Sequence, residues 1–184
     1  MKRMVLAVFA VVCLAGVGGV SAQGARFGIG GGLLIPTGDY KNGDKAGWLA
    51  SVDGTYWLAG NQIGIRLDAS YSQTSEKSGV LAHKTKMIGG LGEIVYAFMT
   101  PADQLRPYVF GGVGVFNVKL SAAGGDTSAT KVGFGGGAGF AFKVGAGSTR
   151  VFVEGRYTSV KVYGATLPFI GVKAGLRFGG SGAK

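Results

Sequence analysis

Hydrophobic and polar residues alternate in short runs from residue 26 onward, and no stretch repeats them at the spacing of a helix. In the run 63–72, Ile, Leu, Ala and Tyr occupy the odd positions, while Gly, Arg, Asp and Ser occupy the even ones. The run 149–159 repeats this alternation. Successive side chains of a strand point to opposite faces, so these runs predict β-strands with one apolar face.

The chain after its N-terminal segment divides into eight predicted strands of this kind. They cover residues 25–35, 47–58, 63–72, 86–98, 106–118, 131–143, 149–159 and 168–178. Each is about ten residues long, which is the length that a tilted strand needs to cross a membrane. The pattern therefore predicts an all-β fold, an eight-stranded antiparallel up-and-down transmembrane β-barrel.

The connections between the predicted strands alternate in length. Those after the first, third, fifth and seventh strands are mostly longer than the other three. The longer ones lie near 36–46, 73–85, 119–130 and 160–167, and the shorter ones near 59–62, 99–105 and 144–148. Outer-membrane barrels have short periplasmic turns and longer extracellular loops. With the N-terminus on the periplasmic side, we expect the longer set to lie outside the cell.

Alternation alone does not say which solvent meets the apolar face, because a soluble lipocalin-like barrel has the same period. The aromatic residues that we assign to the apolar faces all lie near strand ends, as in the aromatic girdles of membrane barrels. They are Phe27, Tyr56, Tyr71, Tyr96, Phe98, Tyr108, Phe116, Phe142, Tyr157 and Phe178. The opposite faces carry small residues that fit a narrow interior, such as Gly133, Gly135, Gly137, Gly139 and Ala141. Both faces of the fifth strand are apolar, so which of them points outward stays open at this point.

Charged residues near the middle of the predicted strands share the face that would point into the barrel. They are Asp53, Arg66, Asp68, Glu93, Glu154, Arg156 and Lys173. An Arg or Lys facing lipid at that depth would cost roughly 2–4 kcal/mol, which favours the inward direction. We expect these residues to form a structural ion network that fills the lumen, since eight strands leave room only for side chains. The alternative is a charged constriction in a narrow conduction path.

The N-terminal segment has the features of a cleavable signal peptide. Lys2 and Arg3 precede an apolar run over 4–17, and Ala22 ends a small-residue cleavage site. We predict a signal peptide over 1–22 and a barrel domain over 23–184. The single cysteine, Cys13, would leave with the signal, so we expect neither a disulfide nor a thiolate metal site.

The chain is basic, and its charge favours anionic lipid over nucleic acid as a partner. Loss of Lys2 and Arg3 would reduce the 19 Lys and Arg residues to 17 against 9 acidic residues, a formal charge of +8. The lysines are scattered, with no basic stretch that is interleaved with aromatic residues. We expect contact with outer-membrane lipid and lipopolysaccharide, and no nucleic-acid binding.

Candidate catalytic, metal and cofactor motifs are weak. His83 and Thr85 stand two residues apart at a loop edge, a spacing that some outer-membrane lipid hydrolases use, but no orienting carboxylate accompanies them. The segment 121–130 could bind calcium, yet it offers a single carboxylate. The glycine-rich segments 28–32 and 133–140 lack the helix that a dinucleotide site requires. We expect no enzyme activity, no metal and no cofactor.

Several local motifs carry a family resemblance that covers residues 26–178. They are Gly32-Leu33-Leu34-Ile35-Pro36-Thr37-Gly38-Asp39, Arg106-Pro107-Tyr108, Gly111-Gly112-Val113-Gly114, Gly136-Gly137-Ala138-Gly139, Phe152-Val153-Glu154-Gly155-Arg156-Tyr157, Pro168-Phe169-Ile170-Gly171-Val172 and Leu176-Arg177-Phe178. In these the chain resembles small outer-membrane proteins of the OmpA/OmpX-like superfamily, the outer membrane protein beta-barrel domain group. The resemblance implies an eight-stranded barrel that the outer-membrane assembly machinery inserts. Separately, we expect a monomer.

The function expected from these features is that of an outer-membrane barrel with a filled lumen. Its role would be structural, or a surface interaction through the extracellular loops. A narrow passive channel for small solutes is the alternative. A lipid A-modifying enzyme and a soluble periplasmic binder of the lipocalin type are further hypotheses.

Overall fold

The computed structural model describes residues 24–58, 61–76, 84–122, 125–162 and 165–179. The predicted signal peptide, Cys13 and His83 lie outside these residues, and the division into signal and barrel domain stays a prediction. The described residues form eight antiparallel strands that are bonded in chain order, with β1 also bonded to β8. The predicted fold, a closed up-and-down barrel, is confirmed.

The strands are longer than ten residues, and a short helix lies between the first two. The elements are β1 (Ala25–Pro36), α1 (Tyr40–Gly43), β2 (Gly47–Trp57), β3 (Ile63–Ser75), β4 (Lys84–Ala97), β5 (Leu105–Ala122), β6 (Gly125–Lys143), β7 (Arg150–Val162) and β8 (Ala165–Phe178). We call the end of the barrel that carries Gly24 and Gly179 the terminal end, and the opposite end the distal end.

The prediction of long loops near 119–130 and 160–167 is wrong, because most of these residues continue the strands. Strands β5 and β6 have 18 and 19 residues, whereas a tilted strand crosses a membrane with about ten. Antiparallel strands can be joined by a short connection. The mostly polar residues at the distal ends of β5 and β6 therefore continue the pairing as far as Ala122 opposite Gly125. The result is a wall formed by β5 and β6, with β4 alongside β5 as far as Lys84 opposite Ser121, that rises beyond the membrane-spanning part of the barrel.

The outward-facing side chains form an apolar belt around the middle of the barrel. Leu67, Ile94, Val113 and Val132 are each between 65% and 68% exposed. Large apolar side chains with this exposure are stable only against an apolar surrounding, which the hydrocarbon of a membrane supplies. No helix within the described ranges has the length and apolar character that crossing a membrane requires.

The side chains of β5 face the opposite way from our assignment, and this corrects the placement of two aromatic residues. Tyr108 and Phe116 point into the barrel and are 4% and 2% exposed, whereas the other eight aromatic residues lie on the outward face. Glycines on the neighbouring strands make the space. A Cβ at Gly133 would lie 2.9 Å from the Phe116 ring, and one at Gly139 would lie 2.7 Å from the Tyr108 ring. Both faces of β5 are apolar, so alternation could not reveal this direction.

Candidate functional site in the barrel lumen

All seven charged residues that the sequence assigns to the lumen are inside the barrel. Asp53, Arg66, Asp68, Glu93, Glu154, Arg156 and Lys173 are each 8% exposed or less. The structure adds Arg177, which the sequence reasoning missed. Arg177 has the same strand parity as Lys173 on β8, and this parity was the signal that could have found it.

Glu154 is the centre of this set of charges. One of its oxygens accepts hydrogen bonds from the Nη1 of Arg66 at 3.0 Å, the Nη2 of Arg177 at 3.0 Å and the hydroxyl of Tyr108 at 2.9 Å. The other oxygen lies 3.1 Å from the Nζ of Lys173. Glu154 therefore links strands β3, β5, β7 and β8 across the lumen.

Two further carboxylates bridge between cations. Glu93 accepts from the Nε of Arg66 at 2.5 Å and lies 3.1 Å from Arg156. Asp68 accepts from Arg156 at 2.7 Å and from Lys173 at 2.6 Å. Each carboxylate therefore contacts two cations, so that no one pair is isolated.

Asp53 completes the set through Arg177, whose Nε donates to it at 3.1 Å. Asp53 and Asp68 lie directly opposite each other on β2 and β3, and separate cations neutralise them. With Arg177 included, the four acids meet four bases, and we call these eight residues the charge layer. A buried carboxylate without a partner would be costly, so the match in charge is what makes this interior stable.

Two apolar layers enclose the charge layer along the barrel axis. The distal layer consists of Leu34, Tyr40, Leu49, Met87, Leu91, Phe116, Val118, Val160 and Phe169. The terminal layer consists of Val95, Ala97, Tyr108, Phe110, Ala141 and Phe152. The guanidinium groups of Arg66 and Arg177 lie 4.1 Å and 4.2 Å from the ring centroids of Phe110 and Phe152. These stacked contacts join the charge layer to the terminal layer.

Helix α1 folds into the distal mouth of the barrel. Its Tyr40 is buried, and the phenol hydrogen-bonds at 2.9 Å to the hydroxyl of Thr74, which donates to Asp44 at 2.6 Å. Burial raises the pKa of Tyr40 to about 12, so the phenol keeps its proton at alkaline pH values where an exposed tyrosine would lose it. The first distal loop is therefore tied to the rim of the barrel.

The spaces between the layers are small. A cavity of about 30 Å³ lies on the distal side of the charge layer, next to Arg156 and Lys173. Another, of about 20 Å³, lies on the terminal side, next to Arg66 and Arg177. Cavities of this size have room for one or two water molecules.

Arginines at the terminal end hold the turns between strands. Arg150 donates to the carbonyl oxygens of Ala141, Pro101 and Asp103 at 3.2, 2.7 and 2.8 Å. Arg106 donates to the carbonyl oxygens of Met99, at 3.0 Å, and of Asn61. The sequence reasoning missed these two residues, together with Arg26, which is also buried at this end.

The weak catalytic and metal motifs gain no support. Thr85 lies in β4 with its side chain in the lumen and 3% exposed, while its candidate partner His83 lies outside the described residues. Asp126, the candidate calcium ligand, is in β6 and pairs with Lys119 at 2.6 Å. Within the described ranges, no three His, Cys, Asp or Glu side chains are grouped to hold a metal ion.

Comparison with solved structures agrees with this geometry. Neisserial surface protein A is 16% identical with a TM-score of 0.64, and the alignment covers 83% of this chain and 95% of that one. The attachment invasion locus protein Ail of Yersinia pestis is 21% identical with a TM-score of 0.51, over 85% and 99%. OprG, an outer membrane protein from Pseudomonas aeruginosa, is 16% identical with a TM-score of 0.53, over 85% and 97%. At these identities the likeness shows the fold.

The family is shown by the sequence itself. No curated protein sequence matches the chain. The family model of the outer membrane protein beta-barrel domain matches residues 5–178. Together with the closed barrel and its apolar belt, this match shows that the chain belongs to the outer membrane protein beta-barrel domain family and resides in the outer membrane.

Proposed function

We propose that this protein is a closed, non-conducting barrel that anchors a surface structure in the outer membrane. The observation that carries the proposal is the neutral charge layer between two apolar layers. A dehydrated ion in the lumen would have to displace paired charges and cross apolar side chains at both ends. Each of these steps is unfavourable, so the lumen supports structure and not passage.

Single-channel recording in a planar lipid bilayer tests this proposal. We expect no reproducible conductance steps from protein whose folded state is shown by a different gel mobility before and after boiling. That control separates a sealed barrel from protein that failed to insert. Regular steps whose frequency rises with the amount of folded protein would instead support the alternative, a narrow channel for small solutes.

The part of the barrel available for surface interaction is the distal wall of β5 and β6. Its outward residues from Asn117 to Thr130 are mostly polar, and they stand above the apolar belt. The barrel closes through β1 and β8, so its membrane-spanning part has no open strand edge, and the edge that residues 125–132 of β6 present lies in the polar distal wall. We therefore propose a monomer, inserted by the outer-membrane assembly machinery, that presents this wall outside the cell.

Lysines at the base of the wall support contact with lipid phosphate. Lys86 and Lys119 lie directly opposite each other on the outward face of β4 and β5. The next outward residues toward the belt are Ile88 on β4 and Asn117 on β5, and beyond Asn117 lies Val115. Ile88 and Val115 are large, apolar and exposed. Asp126 pairs with Lys119 at 2.6 Å, so these two lysines and one carboxylate leave a net positive charge at this position. We propose that phosphate groups of outer-leaflet lipid or lipopolysaccharide occupy this position.

Removing these lysines should weaken lipid binding. We expect the double variant Lys86→Gln/Lys119→Gln to bind lipopolysaccharide less tightly, by about 1 kcal/mol for each lysine removed. Lipopolysaccharide titrated into the detergent-solubilised protein gives the affinity. Lys143→Gln, which removes the same charge at the terminal end, is the matched control. Equal affinities for the double variant and the unmodified protein would contradict the assignment.

We propose no enzyme activity for this protein. The hydroxyl of Thr85 lies inside the barrel, whereas a lipid substrate would approach from the outside.

A further inference from the structure

The cavity on the terminal side of the charge layer has an unusual lining. Five arginine side chains border it, and no carboxylate is among the described residues that line it. The arginines are Arg26, Arg66, Arg106, Arg150 and Arg177. Trp57 also lines it, and the guanidinium of Arg106 lies 3.9 Å from the centroid of its ring. The cavity is therefore bordered mainly by hydrogen-bond donors.

The charges around this cavity are only partly balanced. Arg66 and Arg177 are neutralised within the charge layer. Arg106 and Arg150 instead donate to backbone carbonyl oxygens, which satisfy hydrogen bonds without cancelling charge. Asp103 is the acidic residue that interacts with both of these arginines. It is an exposed turn residue, and its carboxylate accepts two hydrogen bonds of 2.7 Å from Thr100. One exposed carboxylate faces two buried guanidinium groups.

Three buried donors at the cavity have no hydrogen-bond acceptor in the protein. They are the Nε1 of Trp57, the Nη2 of Arg66 and the Nη1 of Arg106. Arg66 and Arg106 are 0% and 2% exposed, so bulk water does not satisfy these groups. A buried donor without an acceptor costs free energy, and the cost is larger when the donor is charged. A single acceptor in the cavity would serve both needs, because it would accept these bonds and supply negative charge.

We propose that this cavity binds one small inorganic anion of the size of chloride. A volume of about 20 Å³ suits a monatomic anion better than a phosphate or carboxylate group. The five arginines and Trp57 come from strands β1, β2, β3, β5, β7 and β8, so a bound anion links strands around most of the barrel. A water molecule is the neutral alternative, and a cavity that holds only water would show no competition between two anions.

Trp57 makes the site observable, because the chain has two tryptophans and the other, Trp48, lies on the outward face. In the variant Trp48→Phe, Trp57 is the sole reporter. Bromide, a contact quencher only slightly larger than chloride, is titrated at constant ionic strength against sodium gluconate into the protein folded in detergent. We expect quenching that saturates, and that shifts to higher bromide concentration when chloride is present. Trp57→Phe is the matched control, and Trp48 should show quenching that neither saturates nor responds to chloride.

A site variant separates a specific site from general attraction. Arg26→Gln removes one lining charge without removing a turn contact described above, and we expect the chloride concentration for half protection to rise about tenfold. Lys143→Gln removes a charge at the same end outside the cavity and should leave that concentration unchanged. Absent or non-saturating quenching of Trp57, or equal effects of the two variants, would overturn the proposal. If Arg26→Gln does not fold, the comparison of the two tryptophan variants still decides.

Discussion

Replacing Glu154 with glutamine is expected to lower the free energy of unfolding by about 3–5 kcal/mol, the usual cost of breaking a buried ion pair from one side. Glu154 is 1% exposed and contacts Arg66, Arg177 and Lys173. Glutamine has nearly the same shape, so packing is preserved while one negative charge is lost. The cations then remain buried with an excess of positive charge. The loss comes from that uncompensated charge and not from a cavity.

Urea unfolding of the protein in lipid vesicles measures this effect, with the gel-mobility shift on boiling as the reporter of the folded state. The control is Asp126→Asn, which removes the partner of Lys119 in a pair whose side chains are 54% and 44% exposed. Because such pairs contribute little, we expect no measurable change there. Equal effects of the two variants would show that the charge layer is solvated, and would contradict a sealed lumen.

Placing an arginine at Val113 is expected to cause the second large loss of stability. Val113 lies near the middle of β5 on the outward face, 66% exposed, and is paired with Gly92 and Phe134. In the hydrocarbon of a membrane, Arg at that depth costs roughly 2–4 kcal/mol. The variant Val113→Arg should therefore unfold at a lower urea concentration.

The control for this variant is Thr130→Arg, on the outward face of β6 in the distal wall. Thr130 is exposed above the apolar belt, so we expect its substitution to leave the unfolding midpoint unchanged. Full tolerance of Val113→Arg would mean that water, and not lipid, meets the belt.

The strands with charged residues on one face were the ones that the sequence predicted best. In β3 and β7 the alternation is regular, and a charge facing lipid at mid-depth is costly enough to decide the direction of the whole strand. Strand β5 has no charge near its middle, so the sequence left open which of its two faces points into the barrel. The glycines that make room for Phe116 and Tyr108 are on neighbouring strands, and their effect requires the register.

The arginines near strand ends were missed for a related reason. Arg26, Arg106, Arg150 and Arg177 all lie at or next to the first or last residue of a strand. The cost of exposing Arg to the membrane falls to about 0–1 kcal/mol near its interfaces. Near the interfaces this cost is too small to show whether an arginine faces lipid or the lumen. The alternation within each strand is then the remaining indication of where its side chain points.

The partners within the charge layer were also beyond the sequence. Arg66 and Glu154 are 88 residues apart, as are Arg156 and Asp68. Such contacts cross the lumen, and they depend on the barrel radius and the stagger of its strands. The sequence could place these residues inside the barrel, but the structure was needed to pair them.

The central claim is that the charge layer and the two apolar layers seal the lumen. Osmotic water permeability of lipid vesicles, measured by stopped-flow light scattering, tests this claim most directly because water is smaller than any solute that the barrel could pass. If the claim is correct, vesicles that contain the folded protein will shrink at the rate of protein-free vesicles. A shrinking rate that rises in proportion to the amount of folded protein would contradict it.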